Sequence, residues 1–210
     1  MKHLFLFSFV LLALVIKAQS FQKKTNVISI GADVGLYNYV SQIKSYPTSS
    51  QLSATNQMVN LQFERGIKNW LGLGAQIKLS QYATAKNTLT SSNPSVQALD
   101  AIILLNAHII RVKRLDLLAG LNVGYSSLTA LNLETANQLV SKTEGGGLTY
   151  DAHIQPRFYI LKHLGIFVNL AYVNYNYKNL DFTNNTSKIS DVLNLKGGGT
   201  NIGFGLQVMF

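Results

Sequence analysis

The feature that most constrains this chain is a two-residue hydrophobic alternation that recurs eight times. In the last of these segments every even-numbered residue from Ile202 to Phe210 is apolar, and the residues between them are small or polar apart from Met209. Side chains of a β-strand point alternately to two faces, so each segment predicts a strand with one apolar face. The predicted strands are Val27–Tyr37, Gln57–Arg65, Leu71–Gln81, Leu99–Ile110, Asp116–Ser126, Leu148–Ile160, Gly165–Val173 and 200–210.

The connections between these segments alternate in length. Three are short, and four are long and rich in Ser, Thr, Asn and Gly. The short ones are Gly66–Trp70, Arg111–Leu115 and Leu161–Leu164, and the long ones are Asn38–Asn56, Tyr82–Ala98, Ser127–Gly147 and Asn174–Thr200. In an antiparallel sheet this places every short turn at one end. Bacterial outer-membrane barrels have this arrangement, with short periplasmic turns, long outer loops and an even number of strands.

The first twenty residues predict a secretory signal peptide for export through the Sec pathway. A basic start at Lys2 precedes the apolar run Leu4–Ile16, which is interrupted only by Ser8, and Ala18 to Ser20 form a small-x-small cleavage site. The run is shorter than the roughly 18 apolar residues that a membrane-spanning helix requires. Cleavage after Ala18 and cleavage after Ser20 both fit. We therefore expect a signal peptide at 1–20 and one barrel domain at 21–210.

Composition narrows the architecture further. The chain contains no cysteine, so disulfides cannot stabilise the exported domain. Its longest purely aliphatic run after the signal is Ala101–Leu105, too short for a membrane helix. Only helices and closed barrels satisfy every backbone polar group in lipid. The sequence therefore predicts an all-β fold, an eight-stranded antiparallel up-and-down transmembrane β-barrel.

Outward-facing aromatic residues are expected at both ends of the predicted strands. The group near the short turns is Phe63, Phe158 and Phe210, and the group towards the long connections is Tyr125, Tyr150 and Tyr172. Aromatic rings gather at both membrane interfaces, where an apolar body meets hydrocarbon and the wetter headgroup layer. The placement predicts two aromatic girdles.

Two stretches carry a resemblance to a known family. FERGIKNWLGLGAQIKLSQY (63–82) resembles the strand, short turn and glycine-rich strand of the small outer-membrane β-barrel family of OmpA and OmpX type, a porin-like barrel domain, and GFGLQVMF (203–210) resembles its closing strand. The resemblance covers essentially the whole chain after residue 20. It implies a location in the bacterial outer membrane and a C-terminal strand that the barrel-assembly machinery reads, with Phe210 as part of that signal.

Ionisable residues on the strands share the inward face. They are Asp33, Glu64, Lys78, Asp100, His108, Asp116, Asp151, His153 and Arg157. An eight-stranded barrel is only wide enough for side chains to fill it, so inward charges must pair. Lys78 and Asp100 lie at equal distances along the chain from the centre of one long connection, and Asp116 and Arg157 lie so about another. Their strands should be neighbours, so the sequence predicts two ion pairs, Lys78 with Asp100 and Arg157 with Asp116, the second shared with Glu64. We expect these residues to form an ionic network in the lumen.

The sequence predicts no catalytic residue, no cofactor and no metal site. His108 and His153 both face inward, away from lipid substrates, and no spacing of His, Cys and carboxylates fits a metal. The net charge is +9, or +7 without Lys2 and Lys17 of the predicted signal. Basic residues are spread over turns and connections, which argues against nucleic acid as a partner. We expect membrane lipid, lipopolysaccharide contacted by lysines of the long connections, and the assembly machinery as partners of a monomer.

The favoured functional hypothesis is a structural or surface-interaction protein with a side-chain-filled lumen and four long extracellular loops. A small channel is the first alternative, since inward glycines leave space: Gly31, Gly72, Gly74, Gly120, Gly203 and Gly205. A lipid-modifying outer-membrane enzyme is another. A soluble ligand-binding barrel would require an apolar interior and a polar exterior, the reverse of the polarity expected here.

Overall fold

The computed structural model describes residues 21–45, 49–84, 93–133, 139–184 and 189–210. The predicted signal peptide lies outside these ranges, and the described part of the chain has no helix long and apolar enough to cross a membrane. The elements are eight strands: β1 Asn26–Ile43, β2 Ser49–Lys68, β3 Leu71–Thr84, β4 Asn93–Arg111, β5 Leu115–Leu133, β6 Leu139–Tyr159, β7 Leu164–Asn184 and β8 Ile189–Met209.

The strands form a closed barrel in chain order, with β8 hydrogen-bonded to β1. Every neighbouring pair is antiparallel. At the seam, Asn26 N–H donates to Phe210 O at 2.8 Å and Phe210 N–H donates to Asn26 O at 2.9 Å. Closure removes the unpaired edges that an open sheet would expose. The predicted eight-stranded antiparallel up-and-down barrel is confirmed.

The strands are strongly tilted against the barrel axis. A path that starts at Gly31 on β1 and moves from each residue to its ladder partner on the next strand returns to β1 at Ser41. The residues on this path are Asn60, Lys78, Asp100, Ser126, Gly147, Tyr177 and Leu195. Closure with such a stagger requires tilted strands. Side chains paired in the ladder therefore lie at different heights, and a lumen residue can lie level with one several strands away.

The strands are longer than the alternation predicted, and the predicted long loops are correspondingly short. Only residues 44–48, 85–92, 134–138 and 185–188 lie between the strands at that end. The prediction of four long extracellular loops is therefore wrong. A transmembrane strand needs about 9–11 residues, whereas β1 has 18 and β7 has 21. The Ser-, Thr- and Asn-rich segments continue the ladder above the membrane, where water wets the outer face and polar side chains can occupy it.

The polarity of the barrel is inverted relative to a soluble protein. Along β1, Ser29 and Asp33 are buried in the lumen, while Ile30 and Leu36 are exposed on the outside. Leu121 on β5 is also exposed, at 67%. A soluble barrel would hide such side chains from water, so hydrocarbon must cover them. The predicted assignment of the two faces is confirmed.

Candidate functional site

Four charged side chains meet in the lumen at the end that carries the short turns. His108 Nδ1 lies 2.8 Å from Asp116 Oδ1, and His108 Nε2 lies 3.0 Å from Glu64 Oε1. Arg157 Nη2 lies 2.7 Å from Glu64 Oε2. All four side chains are buried. Ionised carboxylates only accept hydrogen bonds, so beside ionised Glu64 and Asp116 both ring nitrogens of His108 donate and the imidazole carries a positive charge. Two cations then balance two carboxylates.

The arginine pairing differs from the prediction in which of its two carboxylates is nearer. Arg157 and Asp116 are partners in the β5–β6 ladder, as predicted from their equal distances from the centre of the connection between these strands. Their nearest charged atoms are nevertheless 4.0 Å apart, because the guanidinium reaches across the lumen to Glu64 on β2. The predicted Arg157–Asp116 ion pair, shared with Glu64, is therefore present, with Glu64 as the nearer partner of Arg157 and with Asp116 also bound to His108.

An aromatic ring from the first described residues closes this end of the lumen. Phe21 is fully buried and stacks on His108, with ring centroids 3.5 Å apart and planes inclined at 12°. Val27, Tyr159 and Met209 pack around Phe21 in one apolar cluster. A ring stacked on a charged imidazole also gains the attraction between a cation and a π face.

Backbone hydrogen bonds tie the Phe21 segment to β2. Lys24 N–H donates to Gly66 O and Gly66 N–H donates to Thr25 O, both at 2.8 Å. Lys24 has a φ of 71°, the left-handed conformation that lets the chain turn back beneath the barrel. The segment is therefore part of the fold, held by the ladder it adjoins.

A second network lies at mid-height. Lys78 Nζ is 3.1 Å from Asp151 Oδ2, and Asn122 Nδ2 donates to Asp151 Oδ1 at 2.6 Å. His153 Nδ1 lies 3.4 Å from the same carboxylate oxygen. Asp33, also buried, accepts a hydrogen bond from Asn60 Nδ2 at 2.7 Å.

The lysine pairing also differs from the prediction. Lys78 and Asp100 are partners in the β3–β4 ladder, so the predicted register is present. The predicted ion pair is absent among the described side chains, since Lys78 reaches Asp151, three strands away on β6. Asp100 instead accepts a hydrogen bond from the Tyr175 hydroxyl at 2.9 Å. A long, flexible lysine in a narrow lumen can reach any carboxylate that lies at its own height along the barrel axis. The tilt of the strands places Asp151 at the height of Lys78.

Five tyrosines close the lumen above this network; we call them the tyrosine cap. They are Tyr37, Tyr39, Tyr82, Tyr175 and Tyr177, and each is at most 5% exposed. Their ring centroids lie 5.6 to 6.4 Å apart in stacked, tilted and edge-to-face contacts. Such arrangements are favourable for aromatic pairs.

Hydroxyl groups attach the tyrosine cap to the polar layer beneath it. The Tyr37 hydroxyl donates to Asn201 Oδ1, and the Tyr177 hydroxyl lies 2.7 Å from Ser126 Oγ. With the Tyr175–Asp100 hydrogen bond, these contacts satisfy polar groups that the lumen would otherwise bury alone. The cap is thus fixed from below as well as by ring packing.

Neighbouring atoms occupy the space beside the inward glycines. A Cβ added to Gly203 would overlap the Asp33 carboxylate, and one added to Gly120 would overlap His153. Each glycine thus makes room for a neighbouring side chain. Beside Lys78 and Asp151 remains a cavity of about 10 Å³, which is room for about one water molecule.

The outer face carries the two predicted groups of aromatic residues. Phe63, Phe158 and Phe210 are 43%, 42% and 54% exposed, and Tyr125, Tyr150 and Tyr172 are 60%, 49% and 54% exposed. The phenylalanines lie at the end with the short turns, and the tyrosines lie further up their strands. We call the upper group the tyrosine girdle; it is distinct from the tyrosine cap inside.

Sequence reasoning missed the Phe21 ring stacked on His108 and most of the tyrosine cap. The cap residues beyond Tyr37 lie in or beside segments predicted as loops, although Tyr37, Tyr39, Tyr175 and Tyr177 keep the inward parity of their strands. That parity was the available signal. The described residues also include no group of three or more His, Cys, Asp or Glu placed to hold a metal ion.

Closed topology, an apolar exterior and an interior with charged side chains define a transmembrane β-barrel, and this fold places the chain in the bacterial outer membrane. No protein-family model and no curated protein matches the chain. Solved structures do match. OprG from Pseudomonas aeruginosa is similar with a TM-score of 0.67 at 11% identity, over 93% of this chain and 99% of that one.

Two further solved structures share the architecture. A major outer membrane protein from Thermus thermophilus has a TM-score of 0.55 at 8% identity, over 85% of this chain and 99% of that one. The outer membrane protein AlkL has a TM-score of 0.54 at 12% identity, over 92% of this chain and 93% of that one. The likeness concerns the fold, and it agrees with the small outer-membrane barrels that the sequence resembles.

Proposed function

We propose that this protein is a closed-lumen barrel that acts through its outer surface, as a structural or surface-interaction protein of the outer membrane. The observation that carries the proposal is the succession of side-chain contacts along the lumen. Phe21 stacks on His108 at the lower mouth, Lys78 binds Asp151 at mid-height, and the tyrosine cap packs above. Side chains that fill the lumen at three levels oppose the passage of hydrated solutes.

The upper part of the barrel supplies the proposed interaction surface. The strands continue above the tyrosine girdle, and their outer face there is rich in neutral hydrogen-bonding side chains. Exposed examples are Asn38, Ser53, Gln57, Gln97, Ser127 and Thr129. Amide and hydroxyl groups donate and accept hydrogen bonds in several directions. Such a surface suits the sugar headgroups and polar partners that surround an outer-membrane protein.

Planar-bilayer recording tests the closed lumen. We expect the purified protein to insert without producing stable conductance steps. A variant with Phe21→Ala, Tyr37→Ala and Tyr175→Ala removes rings from both mouths, and we expect it to conduct. Regular conductance steps from the unaltered protein would contradict the proposal and support the small-channel alternative.

We further propose that the barrel is not a lipid-modifying enzyme. Both strand histidines are buried in the lumen, where His108 is held between two carboxylates and His153 lies beside Asp151. A general base must reach the substrate group from which it takes a proton, and lipid lies on the other side of the barrel wall. A lipid-modifying activity that disappears in the variant His108→Gln, His153→Gln would overturn this part of the proposal.

A further inference from the structure

The outer face of β7, β8 and β1 changes from apolar to polar just above the tyrosine girdle. Three cross-strand rows follow one another upward: Tyr172–Thr200–Leu36, Asn174–Gly198–Asn38 and Asn176–Lys196–Val40. Tyr172 marks the membrane interface. Each residue of the two upper rows lies further along its own strand, away from the short turns, than Tyr172, Thr200 or Leu36, so these rows reach the layer of the lipid headgroups. We use the name headgroup strip for the three asparagines of these rows, together with Lys196 of the top row and Lys178 further along β7. The asparagines are Asn38, Asn174 and Asn176.

The middle row of the headgroup strip is centred on a glycine. Gly198 has no side chain, and a Cβ added there would lie 2.7 Å from Asn174 Oδ1 and 3.3 Å from the Tyr172 hydroxyl. These two polar groups therefore lean over the glycine backbone. On the other side, Asn38 accepts a hydrogen bond from Ser53 Oγ at 2.8 Å, which leaves its amide N–H groups to donate. Gly198 is thus flanked by amide side chains from two strands.

Two lysines lie above Gly198 on the same outer face. Lys196 is paired with Asn176 in the ladder, and Lys178 lies in the bulge where the β7–β8 register shifts between Tyr177 and Leu180. The bulge is fixed by Asn179, whose φ is 56° and whose N–H donates to Asn194 Oδ1 at 3.0 Å. Both lysines are exposed.

Neither lysine is neutralised by a carboxylate. Among the described side chains neither Lys178 nor Lys196 takes part in an ion pair; the exposed pair in the upper barrel is Lys142 with Glu144, at 2.5 Å. Asp181, the acidic residue further up β7, is the ladder partner of Glu144 and lies above the strip. The strip therefore presents two cations and three amides to the headgroup layer.

We propose that Lys178 and Lys196, with the amides of Asn38, Asn174 and Asn176, bind the phosphorylated headgroup of an anionic glycolipid in the outer leaflet. Lysine is a flexible cationic ligand for phosphate, and amides suit the sugar hydroxyls around it. The acyl chains would then lie on the apolar face below Tyr172. The proposal rests on the membrane level of the strip and is independent of whether the lumen is closed.

The test measures glycolipid binding in nanodiscs of phosphatidylcholine doped with bisphosphorylated lipid A. We expect the variant Lys178→Gln, Lys196→Gln to retain several-fold less lipid A per protein, as counted by native mass spectrometry, and added salt to weaken the binding of the unaltered protein. The matched control is Lys113→Gln, Lys162→Gln, which removes the same charge from exposed turns at the opposite end and should change nothing. Heat-modifiable migration on gels shows that each variant is folded.

Two lipid comparisons separate the possible outcomes. Dephosphorylated lipid A should bind the unaltered and doubly substituted proteins equally, because the lysines then have no phosphate to recognise. Equal retention of bisphosphorylated lipid A by both proteins would overturn the proposal. A preference for phosphatidylglycerol as strong as that for lipid A would also overturn it, since the strip would then respond to negative charge alone. None of these readouts depends on conductance.

Discussion

The Phe21 ring lies flat on the His108 imidazole, with centroids 3.5 Å apart. The imidazole is in turn held by Glu64 and Asp116, so one aromatic residue covers the charged layer of the lumen at the end with the short turns. Phe21 comes from outside the strands, and it is nevertheless as buried as any residue of the core. The N-terminal segment is therefore expected to contribute to both stability and closure.

Replacing Phe21 by Ala should lower the free energy of unfolding by about 3–5 kcal/mol, the usual cost of removing a buried phenylalanine side chain. The loss would appear as a lower urea midpoint in detergent micelles. The conservative control, Phe21→Leu, keeps most of the apolar volume and should lose much less. Equal stability of Phe21→Ala and the unaltered protein would show that the segment does not occupy the mouth in solution.

The corrected lysine pairing can be measured by double-mutant cycles. Lys78→Met combined with Asp151→Asn should reveal a coupling energy of about 1–3 kcal/mol, because the two side chains are in contact. The same cycle with Asp100→Asn should give a smaller coupling, since Asp100 is bound to Tyr175. The reverse order would restore the pairing inferred from the sequence and contradict the structure.

Adjacency in the barrel could be predicted from the sequence, but contacts across the lumen could not. The two-residue alternation indicated which face meets lipid, because hydrocarbon tolerates no charge at mid-strand. It also indicated that Lys78 and Asp100 are ladder neighbours. Which carboxylate the lysine reaches depends on barrel tilt, which the alternation does not specify.

The tyrosine cap illustrates a second limit. Tyr175 and Tyr177 continue the inward parity of β7, yet their surroundings are rich in Asn, which predicts a loop. Backbone pairing between strands continues above the membrane whether or not the outward residues are apolar. Composition therefore indicated where the lipid ends, and not where the strands end. Phe21 escaped prediction because a single aromatic residue next to the predicted signal peptide has no periodicity.

The glycines of the lumen offer a test of how tightly it is filled. Gly203→Ala would bring a methyl group into the Asp33 carboxylate and should cost about 1–3 kcal/mol of stability, as overpacking usually does. In the double variant Asp33→Ala, Gly203→Ala the clash with the carboxylate is absent and the 2.9 Å approach to Ala32 O remains, so the two substitutions should cost less together than the sum of each alone. Strictly additive losses, measured by urea unfolding, would mean that the two positions do not touch.

Phe210 should matter for assembly more than for stability of the assembled barrel. Its backbone seals the seam with Asn26, but its ring is exposed on the outer face. We expect Phe210→Ala to reduce the amount of folded protein in outer membranes while the refolded variant unfolds near the unaltered midpoint. Phe63→Ala removes another ring of the same girdle and serves as the control. Equal membrane levels of the two variants would exclude a special role for the C-terminal residue.

The inverted polarity is tested most directly by placing one charge at two heights of β5. Leu121→Arg puts a guanidinium on the outer face at mid-strand, where it should cost about 2–4 kcal/mol, because the charge enters hydrocarbon. Ser127→Arg places the same side chain on the same face of the same strand, two residues above Tyr125 of the tyrosine girdle. There the cost should be about 0–1 kcal/mol.

The comparison isolates depth, since strand, face and side chain are shared by the two variants. Unfolding in lipid vesicles, not in detergent, is the appropriate measurement, because micelles adapt to a charge more readily than a bilayer does. If both arginines cost the same, lipid does not end at the tyrosine girdle, and the level of the headgroup strip must be revised. If neither arginine costs anything, Leu121 faces water. The outer face is then not covered by hydrocarbon, and the assignment of the two faces is wrong.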